Sequence, residues 1–119
     1  MQDPHLDSAV LASLQDLMEG EYPVLLDTFL ADSDERVRLL AEALHTQNAQ
    51  LLRLTAHSFK GSCSNMGALL LADLCKQLED LGHRQALDVA AAATLIEHID
   101  REFAIVRILM KSERQRFRG

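Results

Sequence analysis

The residues with the most chemical promise lie in Ala56-His57-Ser58-Phe59-Lys60-Gly61-Ser62-Cys63-Ser64-Asn65-Met66-Gly67. A neutral imidazole is a good nucleophile near pH 7. A lysine one helical turn on can neutralise a phosphoryl oxygen. A glycine four residues on removes bulk beside the ring, which leaves room for another protein. In mid-helix that glycine costs about 1 kcal/mol relative to alanine, so an exposed one invites a functional reason. On a helix, Leu52, Thr55, Ala56, Phe59, Ser62, Cys63 and Met66 fall on one arc, roughly opposite His57. Gln50, Arg53, Lys60, Gly61 and Ser64 cluster on the side of His57. Taken singly, His57 reads as a surface histidine and Lys60 as a solvated charge. Their combination with Gly61 is what points to chemistry.

A partner for the imidazole follows from the turn at Gly67. A helix rises about 1.5 Å per residue, so His57 lies about 15 Å before that turn. The same distance down the returning helix reaches Gln77 to Glu79. Glu79 follows Cys75 by one turn and adjoins Leu78, which puts it at the edge of the inward stripe. A carboxylate there that accepts from Nδ1–H fixes the tautomer and leaves the Nε2 lone pair facing outward. Lys76, one turn nearer Gly67, is placed to reach the solvent side of the same site. The plainer alternative makes Glu79 an exposed helix carboxylate paired with Lys76.

The elements that carry these residues are all helical. Asp7 or Ser8 caps a short first helix with the stripe Val10, Leu11, Leu14, Leu17 and Met18, and Gly20 ends it. Pro23 suits the first turn of a second helix, whose stripe is Tyr22, Leu26, Phe29, Leu30, Val37, Leu40 and Leu44. Ser33 interrupts that stripe. Asp32, Asp34, Glu35, Arg36, Arg38 and Glu42 read as its wet side. Thr46-Gln47-Asn48 is a break, with Asn48 or Thr46 as the next cap. The third helix runs from about Ala49 to Met66, and Gly67 stops it. A fourth turns Leu71, Leu74, Cys75, Leu78 and Leu81 inward and ends near Gly82. Asp88 caps a long last helix with Ala92, Leu95, Ile96, Ile99, Phe103, Val106 and Met110 inward. The basic stretch from Lys111 reads as favourable charge at a helix C-terminus or as a frayed tail over about 111–119. The expectation is one all-α domain over 1–119: an antiparallel four-helix bundle with a short additional N-terminal helix against one end.

Composition narrows the function classes. The 119 residues suffice for one core, and 48% hydrophobic content argues against disorder. Two prolines, five glycines and 4% aromatics suit a helical domain built on Leu and Ala. A formal net charge of −6 argues against nucleic acid as a partner. Met1-Gln2-Asp3-Pro4-His5 has neither a basic nor an apolar signal region, and no apolar run is long enough for a membrane span. A cytoplasmic protein is expected. Cys63 and Cys75 have no metal-ligand spacing and fall on core stripes, so buried free thiols are expected. A disulfide across the hairpin is geometrically conceivable, and a reducing compartment disfavours it.

Residues 57–82 resemble the signature of histidine-phosphotransfer (HPt) domains. That signature runs His, Lys-Gly at +3 and +4, Gly at +10, a Leu stripe, and Leu-Glu before a closing Gly. Here these are His57, Lys60-Gly61, Gly67, Leu71, Leu74 and Cys75, Leu78-Glu79 and Gly82. His-x-x-Lys-Gly alone would be weak; the joint match is specific. Phe59 replaces a frequent leucine on the core side.

The resemblance implies a four-helix bundle whose exposed histidine is phosphorylated on Nε2. His57 would be the phospho-acceptor, Lys60 would steady the phosphoryl oxygens, Gly61 would give a receiver clearance, and Glu79 would orient the histidine; Lys76, placed near the site by the helix geometry above, is a second candidate for steadying phosphate. The implied partners are receiver domains: of hybrid sensor kinases as donors, and of a response regulator as acceptor. The receiver would supply Mg²⁺, and this chain would hold no stable cofactor or metal. No nucleotide loop or kinase motif set is present, so a carrier rather than an enzyme is expected. Leu54 lies beside the His57 arc, either in a docking patch or against a neighbouring helix. Arg53 and Ser64 support docking or are simply solvated. Two other readings compete. A di-metal carboxylate bundle needs Glu-x-x-His on two helices, and only Glu42-Ala43-Leu44-His45 is present. A helical adaptor, with His57 incidental, predicts that His57→Ala changes nothing.

Overall fold

Asp7 begins the helical part of the chain. Its carboxylate accepts from the backbone N–H groups of Ala9 and Val10, at 2.9 and 3.4 Å, and so caps α1 (Ser8–Met18). The protein is described as a computed structural model, over residues 3–117. The stop expected at Gly20 falls earlier. α1 ends at Met18, and Glu19, at φ 49°, makes the left-handed step. Gly20 lies within a single 3₁₀ turn, Glu19–Glu21. A Cβ there would meet nothing within 4 Å, so no crowding requires glycine at that position.

Pro23 sits in the first turn of α2 (Tyr22–His45). The Asn48 side chain accepts from Leu51 N–H at 3.0 Å and caps α3 (Ala49–Asn65). Gly67, at φ 77°, makes the turn into α4 (Leu69–Gly82). Here glycine is required twice over. Its φ is left-handed, and a Cβ would lie 3.1 Å from Val10 Cβ and 3.2 Å from the Asp7 carbonyl oxygen. The Gly67 carbonyl accepts from Asp7 N–H at 2.9 Å, which ties the N-terminal segment to this turn. Asp88 accepts from Ala91 N–H at 3.0 Å and caps α5 (Val89–Gln115).

Each of α2 to α5 packs on the next, and α5 closes on α2. This is the antiparallel four-helix bundle, with α1 laid at the end where α3 turns into α4. The described residues form helices and no strand. The inward stripes of α2 to α5 meet: Tyr22, Leu26, Leu40, Leu52, Phe59, Leu71, Leu78, Ile99, Val106 and Met110 are fully buried. The stripe expected for α1 holds only in part, since Leu11 is buried and Leu17 is exposed. Each such side chain contributes roughly 1.5–3 kcal/mol. Ser33 is buried among them, and its hydroxyl has no hydrogen-bond partner among the described residues. Cys63 and Cys75 are buried and free. A hydrogen bond to Cys75, together with burial, pushes the Cys63 thiol well above the usual thiol range.

The basic C-terminal stretch is not frayed through residue 117. α5 continues to Gln115, and the Phe117 ring meets Tyr22 edge-on, with centroids 5.2 Å apart. Tyr22 Oη donates to Glu113 at 2.6 Å, and Arg114 pairs with Asp27. Residues 118 and 119 of the expected tail lie outside the described residues. Among the described residues, no helix is long and apolar enough to cross a membrane.

Candidate functional site

α3 turns Ala56, Phe59 and Cys63 into the core, all fully buried. The 3.6-residue period then sends His57 to the opposite face. Its side chain is 65% exposed. α4 returns antiparallel from Gly67 and anchors on Cys75 and Leu78, which brings Glu79 alongside. Gly82 sets how close the two helices come. It is the last residue of α4 rather than a residue beyond it, and a Cβ there would lie 2.8 Å from Arg53 Cβ and 3.1 Å from Arg53 Cα.

Glu79 Oε2 lies 2.7 Å from His57 Nδ1, and Lys60 Nζ donates to Glu79 Oε1 at 2.7 Å. The Glu79 side chain is only 12% exposed. The Lys60 ammonium holds its carboxyl below the usual carboxylate range; partial burial opposes this, and the His57 hydrogen bond reinforces it. An ionised carboxylate can only accept, so Nδ1 carries the proton and Nε2 carries the lone pair. Nε2 has no hydrogen bond among the described residues. Lys60 keeps two further N–H donors beyond the one used on Glu79. Beside them, a Cβ on Gly61 would meet nothing within 4 Å. The space that this glycine leaves faces outward, and no packing among the described residues explains it.

The other expected site residues are distributed differently. Lys76 is not brought to His57. Its ammonium lies 3.7 Å from Asp80, one turn on along its own helix, and it makes no ion pair with Glu79. The i,i+3 pairing of Glu79 with Lys76 gives way to Lys60 because the close α3–α4 approach delivers Lys60 from the facing helix. Arg53 is half-buried and forms the wall against Gly82. Ser64 is exposed. Leu54 is 53% exposed and edges a groove of about 330 Å³ between α2 and α3, with Leu39 on the other side. Arg36, assigned to the wet side of α2, crosses this groove and donates from Nε to Ser58 Oγ at 3.0 Å. Glu42 and His45 belong to no cluster of three or more metal-ligating side chains among the described residues.

One neighbour escaped the sequence reading. His83 Nε2 lies 3.8 Å from Glu79 Oε2. The i,i+4 spacing from Glu79 was the available signal.

Comparison with known proteins bears on this geometry. No curated protein matches the chain. The family model described as "Hpt domain" matches residues 24–108. The crystal structure of histidine-containing phosphotransfer protein B (HptB) from Pseudomonas aeruginosa PAO1 is similar with a TM-score of 0.94 and 62% sequence identity, covering 98% of this chain and 100% of that one. The family match takes in α3 and α4 entire, and with them the histidine and its carboxylate; the chain belongs to the Hpt domain family and has a histidine phosphotransfer function in a phosphorelay.

Proposed function

We propose that His57 is the residue that carries the phosphoryl group, on Nε2. The observation behind this is an exposed imidazole whose other nitrogen lies 2.7 Å from a carboxylate. The donor is an aspartyl-phosphate on the receiver domain of a hybrid sensor kinase, and the acceptor is the receiver of a response regulator.

In the forward step, the Nε2 lone pair attacks phosphorus. The P–N bond forms as the P–O bond to the receiver aspartate breaks, and the aspartate leaves as carboxylate. The ring becomes an imidazolium that still holds its Nδ1 proton. Glu79 stabilises that positive charge and fixes the ring plane. The transition state of phosphoryl transfer is loose, so positioning and charge neutralisation dominate. Lys60 offsets the Glu79 charge, which would otherwise repel the incoming phosphoryl group, and turns its remaining donors to the phosphoryl oxygens. Gly61 clears the approach of the receiver. Leu54 and Ser64, exposed on the same side of α3, belong to the docking surface. Lys76 takes no part. Mg²⁺ is held by the receiver, and this chain acts as a cytoplasmic carrier with no stable cofactor.

The test mixes the purified chain with a phosphorylated receiver and follows labelled phosphate. Label should move to this chain in a bond that is acid-labile and alkali-stable. His57→Gln should abolish the transfer with helicity unchanged. Undiminished transfer to His57→Gln would overturn the assignment.

A further inference from the structure

The three neighbours of the Glu79 carboxylate are unequal. Lys60 occupies Oε1, and His57 and His83 both approach Oε2, at 2.7 and 3.8 Å. We propose that His83 is a positioning residue for phosphoryl transfer: it shares Glu79 Oε2 with His57, and its charge sets how strongly that carboxylate supports the reacting ring. This rests on the assignment of His57 as acceptor.

The backbone fixes His83 in place. It caps the C-terminal end of α4, and its N–H donates to the Asp80 carbonyl at 3.3 Å. The preceding Gly82 is pressed against Arg53, so the His83 backbone stays beside α3. Its side chain is 55% exposed, open to protons from solvent. The charged groups around it are Glu79 and Asp80 on α4, then Arg53, His57 and Lys60 on α3, and Arg84 next in the chain. Asp80 is turned to Lys76, which leaves Glu79 as the carboxylate that His83 meets.

Neutral His83 leaves Oε2 to His57. The carboxylate then stabilises the positive charge that appears on the ring as the P–N bond forms. Imidazoles gain a proton as pH falls through the range of about 8 to 5. A protonated His83 draws on the same oxygen and so weakens the support that Glu79 gives to the positive ring; unlike Lys60, it acts from the Nδ1 side, away from the phosphoryl group on Nε2. Acidification therefore shifts phosphate off this chain and back to the receiver, beyond any effect of pH on the receiver itself.

The experiment measures the equilibrium share of phosphohistidine on the full chain with one phosphorylated receiver, at about pH 8 and about pH 6. Wild type, His83→Gln, His83→Lys and Glu79→Gln/His83→Gln are compared, the last against Glu79→Gln. The ratio of His83→Gln to wild type should rise about threefold on acidification, the scale of one screened charge contact. Receiver effects cancel in that ratio. His83→Lys, a cation at both pH values, should hold less phosphohistidine than wild type at pH 8. In the Glu79→Gln background the pH dependence of the ratio should vanish. A ratio that does not change with pH, or that falls on acidification, would overturn the role of His83. Absence of label on wild type at both pH values would instead overturn the carrier assignment itself.

Discussion

Glu79 carries two duties, and they separate in experiment. Replacing it with glutamine keeps the shape and removes the charge. Glu79→Gln should slow phosphoryl transfer by about 10-fold or more, as when a partner that orients a reacting ligand is lost. Its effect on stability has a defined pH window. The folded carboxyl titrates below its ordinary value of 4.5, chiefly because of Lys60. The contribution is therefore present in full above about pH 4.5 and is lost as pH falls through the lower folded value. The stability gap between wild type and Glu79→Gln, followed by denaturant titration, should close across that acid window. Gly61 separates stability from function in another way. Since a Cβ there meets nothing, Gly61→Ala should stabilise α3 by about 0.5–1 kcal/mol in thermal unfolding. Gly61→Gln should fold equally well and slow transfer by about 10-fold or more, the loss expected from a misplaced docking geometry. Transfer by Gly61→Gln at the wild-type rate would remove the clearance role. At this scale, the sequence disclosed His57, Lys60, Gly61 and Glu79 because helical spacing and the Gly67 turn place them. It did not separate Lys60 from Lys76. Both lie within reach of Glu79 by spacing alone, and the choice depends on the distance between facing helices.

That distance belongs to the α3–α4 hairpin, and Gly82 controls it. Gly82→Ala puts a methyl 2.8 Å from Arg53 Cβ and 3.1 Å from its Cα, so backbone must move. A cost of about 1–3 kcal/mol is expected in chemical unfolding, as for other overpacked contacts. Because the parted helices carry His57 and Glu79, transfer should fall as well. A Gly82→Ala protein with unchanged stability and rate would show that the hairpin does not set the site. The sequence marked Gly82 as a stop, which is the commoner use of a glycine near a helix end. Its packing use becomes visible only with the partner helix in place. Gly20 errs in the opposite sense. Glu19 itself takes the positive φ, 49°, so the break precedes the glycine. Caps fared better, since Asp7, Asn48 and Asp88 act on their own next turn and need no tertiary information.

The whole bundle serves to hold this hairpin rigid. The first half of α2 is tied to the C-terminal part of α5 by Tyr22–Glu113, Asp27–Arg114 and Asp34–Arg107, and the Phe117 ring closes the end over Tyr22. These contacts join parts of the chain far apart in sequence; of the two readings of the basic stretch, the structure through residue 117 agrees with charge at a helix C-terminus rather than with a frayed tail. The four-helix architecture was legible because each stripe repeats at the helical period. Ser33 was legible as an interruption, not as a fully buried hydroxyl. Cys63 and Cys75 sit inside this frame with no exposed surface. A thiol reagent should therefore modify them only through opening of the bundle, at a rate that follows global stability. Fast labelling of the native protein would show an α3–α4 hairpin looser than the packing implies.

The phosphorelay role of the chain requires one side chain to hold the phosphate. The chain has five histidines: His5, His45, His57, His83 and His98. Mapping the phosphorylated residue by mass spectrometry at neutral to alkaline pH, after transfer from a receiver, separates them directly. Phosphate is expected on His57 alone. Phosphate on His83 or any other histidine, with His57 unmodified, would contradict that assignment.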